Sequence, residues 1–175
     1  MKKKKAVTFL LSALLVLAAC GSGQAQVELN IPASFIGEQT QEDLDKLADE
    51  EGFQSIVLNA DGSATYTMTQ EQHESLLEEY REQIRSSLDE MIGSESYPNF
   101  TKIETNRDFT EFTITTKSEE LGWNESFSVL AFYTYGGLYG VFSGAEPDNI
   151  SVTFVNEASG EVLQTANSSD MQNGE

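Results

Sequence analysis

Three kinds of side chain in this sequence could do chemistry beyond packing: one thiol, one imidazole and 29 carboxylates. The thiol, Cys20, directly follows Leu17-Ala18-Ala19 and precedes Gly21-Ser22. With no second cysteine it forms no intramolecular disulfide, and with one histidine it builds no Cys/His zinc site. There is no His-Glu-x-x-His, no Gly-x-Ser-x-Gly elbow, no phosphate loop and no dinucleotide fingerprint. A Ser-His-Asp triad assembles across sequence, so His73 is a formal candidate base. It lies one turn before Leu76-Leu77 on the apolar side of a helical pattern, where a packed or hydrogen-bonded histidine is the expectation. Glycoside hydrolysis needs two carboxylates at a set separation, and 29 acids offer no way to choose the pair. Asn59-Ala60-Asp61-Gly62 suggests a calcium loop. An EF-hand with Gly62 sixth, however, would start at Val57 and end at Met68, neither of which offers an oxygen ligand. Surface carboxylates at Asp43/Asp45/Asp49 and Glu78/Glu79/Glu82 leave low-affinity divalent-cation binding as an alternative to a solvated acidic face. The densest aromatic stretch supplies a candidate ligand platform, Trp123 with Tyr133, Tyr135 and Tyr139, set against the alternative that these rings fill a core.

The elements around Cys20 give the thiol its meaning. Lys2 to Lys5 form a basic start, and residues 6–19 are an apolar run ending in small side chains. Those 14 positions are too few for a bilayer-spanning helix, which needs about 20. The layout resembles a bacterial lipoprotein signal with its lipobox. Leu17, Ala18 and Ala19 would be read by the signal peptidase, and Cys20 would become the lipid-bearing N-terminus after cleavage. Stable anchoring takes more than one acyl chain, and a diacylglyceryl thioether on Cys20 meets that need. Residues 20–26 then read as a flexible polar tether to a cell-membrane surface on the extracytoplasmic side.

The full chain carries ten basic residues and a formal net charge of −19. Cleavage would remove four lysines and no acid, leaving six basic residues against 29 acidic ones, a net charge of −23. Such a surface is repelled by phosphate backbones, which argues against nucleic acid as a partner.

Beyond the tether, residues 27–167 read as a single α+β domain and 168–175 as a disordered polar tail. Residues 27–32 alternate as a strand. Thr40 with Asp43 caps a helix over 41–51 before Gly52. Asn59-Ala60-Asp61-Gly62 fits a type I turn with a glycine bulge, pairing Leu58 with Ala64 and Ile56 with Tyr66 in a hairpin of 54–59 and 63–69. Thr69-Gln70-Glu71-Gln72 opens a long helix over about 70–92, with Leu77, Tyr80, Ile84, Leu88 and Met91 as its apolar stripe. Residues 100–105 and 109–117 read as strands, and 150–156 with 161–166 as a further hairpin. Residues 124–143 fit a buried helix better than a hairpin turning at Gly136-Gly137. Phe127, Leu130, Ala131, Leu138, Val141 and Phe142 are then expected inward, and Gly136 and Gly140 would admit a neighbouring backbone. The assembled expectation is one antiparallel sheet built from hairpins with about three helices packed on it.

Leu17-Ala18-Ala19-Cys20-Gly21-Ser22, Ile31-Pro32-Ala33-Ser34-Phe35, Leu58-Asn59-Ala60-Asp61-Gly62-Ser63 and Ile150-Ser151-Val152-Thr153-Phe154-Val155-Asn156 together carry a resemblance along the whole chain. It resembles small lipoproteins of Gram-positive bacteria of uncharacterised role, and the likeness implies an anchor but no activity, no cofactor and no site residue beyond Cys20. The expectation is a non-catalytic, lipid-anchored binding or interaction module, with an envelope protein or a cell-wall component as partner. The alternatives are a carboxylate-based extracytoplasmic hydrolase and a low-affinity divalent-cation binder.

Overall fold

In the computed structural model, which describes residues 25–172, the alternating segment Gln26–Ile31 forms strand β1 and buries Leu29 and Ile31. Leu17, Ala18, Ala19 and Cys20 lie outside the described residues. The last residues of the expected tether are already ordered. Gln26 already belongs to β1, and the carbonyl of Ala25 accepts a hydrogen bond from the Gln70 amide at 2.8 Å. A one-turn helix that the sequence did not announce, α1 (Ala33–Ile36), buries Ile36.

Helix α2 (Gln41–Glu51) begins at the expected reciprocal cap. The Asp43 amide donates to Thr40 Oγ1, and the Thr40 amide donates to Asp43 Oδ2 at 3.0 Å. Strands β2 (Ser55–Leu58) and β3 (Ala64–Thr69) then pair in the expected register, Leu58 with Ala64 and Ile56 with Tyr66. Their turn closes with the Asn59 amide donating to the Ser63 carbonyl at 2.7 Å and with Gly62 at φ 84°, a left-handed position that suits glycine. β3 also pairs antiparallel with β1, so the first sheet has the order β1-β3-β2.

Helix α3 (Gln70–Met91) follows β3 with no intervening loop, capped by Thr69 and Gln72. Its 22 residues span about 33 Å at 1.5 Å each and carry the chain away from the first sheet. A second sheet forms there from β4 (Phe100–Thr105), β5 (Glu111–Thr116), β6 (Ser151–Asn156) and β7 (Val162–Asn167), in the order β4-β5-β6-β7. Between β5 and β6 lie α4 (Trp123–Phe127) and α5 (Val129–Ser143).

The α+β class therefore holds, but the single antiparallel sheet is corrected to two sheets. The hairpin-only rule fails at two places for physical reasons. β3 already has a partner on each edge, so β4 cannot pair with the strand before it as a hairpin would. β5 and β6 are parallel, a pairing that needs a crossover of a dozen residues or more, and the α4–α5 segment supplies it. The tail is corrected too. Ser168–Gln172 forms a short helix, α6, tied back through the Ile150 amide to Ser168 Oγ at 2.8 Å and the Ser169 amide to Asn149 Oδ1 at 3.1 Å.

Residues 123–143 are helical, as the pattern favoured, with a break at Ser128. The inward face is rotated from expectation. Phe127 and Leu130 stay substantially exposed, while Phe132, Gly136, Tyr139 and Gly140 are buried. The glycines set this orientation, since a Cβ on Gly136 would sit 2.3 Å from the Phe109 carbonyl oxygen and one on Gly140 2.5 Å from Pro147 Cδ.

Two apolar cores result. The first gathers Leu29, Ile31, Ile36, Leu44, Ala48, Ile56, Ala64 and Met68 against one face of the first sheet. The second centres on Phe100, Phe109, Phe112, Ile114, Phe132, Val152 and Phe154, with Ile84, Leu88 and Met91 from α3. A fully buried side chain of this size contributes roughly 1.5–3 kcal/mol. Two helices bridge the cores. Leu76 of α3 packs on the first core and Leu77 on the second, while α5 offers Val141 and Phe142 to the first and Phe132 and Tyr139 to the second.

Candidate functional site

The aromatic platform expected from the sequence does not assemble. Tyr139 is 2% exposed, edge-on to Phe109 at 5.1 Å, with its hydroxyl accepting from Arg81 Nη2. Tyr135 is half-buried and packs on the second core. Tyr133 lines a shallow hollow with Phe35, Gly137 and Pro147, and burial raises its hydroxyl above the ordinary tyrosine value. Trp123 is 77% exposed, tilted against Phe127 with ring centroids 4.4 Å apart, and borders a different open hollow beside Pro98 and Asn99. The helical break at Ser128 and the inward pull of Gly136 and Gly140 send these rings to separate places.

His73 Nε2 lies 2.8 Å from the Phe142 carbonyl oxygen and so ties α3 to α5, the hydrogen-bonded role expected of it. The acidic surface positions are engaged locally. Asp43 caps α2, Asp45 accepts from Gln41, Glu78 pairs with Arg81 and Glu79 accepts from Gln83. Among the described residues no group of three or more His, Cys, Asp or Glu side chains is placed to hold a metal ion. Asp61 closes its turn by accepting from the Ser63 amide and hydroxyl, which holds its carboxyl below the ordinary value.

One carboxylate is deeply set. Glu125, 6% exposed, accepts from Thr116 Oγ1 at 2.8 Å, from Ser118 Oγ at 2.9 Å and from the Gly122 amide at 2.8 Å. Asn156 extends the network by donating to the Ser118 carbonyl at 2.9 Å. These bonds pin the start of α4 to the end of β5. Both carboxylate oxygens are spent on them, which makes this a structural anchor.

The best-formed concavity lies elsewhere, in a groove of about 310 Å³ between the first sheet and the bridging helices. Alternation in the sheet builds its floor: Leu29 and Ile31 from β1 and Tyr66 and Met68 from β3 all point to one face. Helix α2 adds Leu47, α3 adds Leu76 and Tyr80 one turn apart, and α5 closes one end with Phe142. Tyr80 stacks on Phe142 with centroids 4.4 Å apart, and Phe53 meets Tyr66 edge-on at 6.0 Å. Burial raises the Tyr80 and Tyr66 hydroxyls above the ordinary value of 10.0, and for Tyr80 the nearby Glu79 and Tyr66 add to the shift. Glu51, Glu79 and Gln83 stand at the rim. The groove runs on past Phe53 and Leu76 into a wetter hollow beside Gln72 and Ser75.

Such a site holds an apolar body and orients it with a few polar groups. Sequence reasoning found the hairpin face and the α3 stripe but not that Phe53, Tyr66, Tyr80 and Phe142 converge. They come from four separate segments, and no local spacing signals their meeting.

Comparison with protein-family models, with curated proteins and with solved structures finds no match to this chain.

Proposed function

We propose that this protein is a lipid-anchored, extracytoplasmic binding module of the kind the small Gram-positive lipoproteins represent, with the groove on its first sheet as the ligand site. The lipobox Leu17-Ala18-Ala19-Cys20 supports the anchor. Among the described residues no helix is long and apolar enough to cross a membrane. The observation that carries the binding reading is the groove itself, a half-open apolar cavity with two tyrosine hydroxyls and a short polar rim. Binding is favoured over carboxylate hydrolysis because the deeply buried carboxylate, Glu125, has both oxygens committed to structural donors. Envelope proteins and wall components are the natural sources of a ligand at that location.

Two measurements test the reading. Cys20→Ala should release the protein from the membrane fraction, and undiminished membrane retention would overturn the anchor. The full protein, purified in mild detergent, should bind the neutral fluorophore N-phenyl-1-naphthylamine saturably at one site. Leu76→Arg, which places a charged chain in the groove, should abolish that binding while thermal unfolding stays cooperative. No saturable binding, or binding unaffected by Leu76→Arg, would sink the groove as a ligand site.

A further inference from the structure

The groove's charge is one-sided. Among the residues that line it are two carboxylates, Glu51 and Glu79, and no lysine, arginine or histidine. The cations nearest in sequence are engaged elsewhere. Lys46, beside Leu47, pairs with Glu42 at 2.9 Å. Arg81, beside Tyr80, pairs with Glu78 at 2.8 Å and lies over the Tyr139 ring at 5.3 Å. The two carboxylates come from different helices, Glu51 from the end of α2 and Glu79 from α3. The same groove is lined by Phe53, Tyr66 and Tyr80, and aromatic faces attract a cation. Leu29, Ile31 and Met68 keep the floor largely apolar, and an anionic head would meet uncompensated repulsion from the two carboxylates.

We infer that the groove selects amphipathic organic cations, with an ammonium head held at the rim by Glu51 and Glu79 near the tyrosine rings, and an apolar body over Leu29, Ile31 and Met68 of the floor and against Phe142 at its end. This rests on the groove being the ligand site and adds the class of ligand it takes. The cavity, about 310 Å³, is at the small end of ligand pockets, which suits a single compact molecule.

The test is displacement of N-phenyl-1-naphthylamine from the full protein by three ligands of equal chain length, at fixed low salt: octyltrimethylammonium, octanol and octanoate. Octyltrimethylammonium should displace at a concentration about tenfold below octanol, with octanoate weakest. Glu79→Gln and Glu51→Gln should each cut the ammonium's advantage over octanol by about three- to five-fold, the scale of one exposed charge contact. Gln83→Lys, on the exposed rim one turn from Glu79, should remove most of the preference by supplying an internal ammonium. Equal displacement by all three ligands would overturn the cation preference and leave the groove standing. A loss from Glu90→Gln, an exposed carboxylate outside the groove, as large as that from Glu79→Gln would assign the preference to overall charge and overturn it as well. Failure of the neutral fluorophore to bind at all would remove the ligand site and this inference together.

Discussion

Adding one methyl group at Gly136 should cost this fold more than most core truncations of similar size. A Cβ there would lie 2.3 Å from the Phe109 carbonyl oxygen and 2.8 Å from Ile150 Cδ1. The first contact is with backbone, and Phe109 cannot yield easily. It is fully buried and already left-handed at φ 54°, a strained position for a bulky residue. Overpacking of this kind costs about 1–3 kcal/mol, and more where backbone must move. Alanine's better helix propensity returns about 1 kcal/mol. With the cost at the top of that range, about 3 kcal/mol, the net expectation for Gly136→Ala is a loss of roughly 2 kcal/mol, a fall in Tm of about 4–8 °C for a domain of this length. Gly137 is the matched control. It is the next residue on the same helix, and a Cβ there meets nothing within 4 Å. Gly137→Ala should therefore gain about 0.5–1 kcal/mol from propensity alone. Urea unfolding of both variants, read by circular dichroism, measures the difference. If Gly136→Ala stayed within about 0.5 kcal/mol of the parent, the close packing of α5 on the Phe109 turn would be wrong.

Two further outcomes follow from the same contacts. Glu125→Ala removes the acceptor for Thr116 Oγ1, Ser118 Oγ and the Gly122 amide, and should destabilise by about 2–4 kcal/mol in urea unfolding, with Glu125→Gln losing clearly less. Tyr66, Tyr80 and Tyr133 should titrate above 10.0 in a 295 nm absorbance titration, since burial favours their neutral forms. The native state then holds protons that the unfolded chain has lost. Their contribution to stability is full below pH 10.0 and disappears as pH rises through the native values. Stability that rose between pH 9.5 and 11.5 would contradict it.

What could be read from the sequence was local. The Thr40–Asp43 and Thr69–Gln72 caps, the Asn59–Gly62 turn and the Leu58–Ala64 register are each encoded within a few residues, and the structure has them where the side-chain chemistry puts them. The division into two sheets was not legible, because it depends on pairings between segments far apart in the chain. The parallel pairing of Phe112 with Val152 joins residues 40 apart, so no turn chemistry announces it. The face of α5 was also hidden, because apolar side chains surround that helix and glycines, with no side chain to count, decide which side goes in. The groove failed to show for the same reason as the second sheet, and the aromatic platform misled because proximity in sequence is not proximity across a helical break.

The bridging helix α5 also fixes the order in which the molecule can be completed. All strands of the first sheet lie between Gln26 and Thr69, so that sheet can close as soon as those residues are available. The wall that Phe142 gives the groove belongs to a helix whose other side is held by Phe109 and Ile150, and Ile150 leads directly into β6. Pairings between residues so far apart in sequence form slowly, because loop-closure entropy is lost before they gain contacts. A chain emerging N-terminus first would thus carry an open-ended groove until nearly its last strands were in place, and the finished groove would mark a completely folded chain.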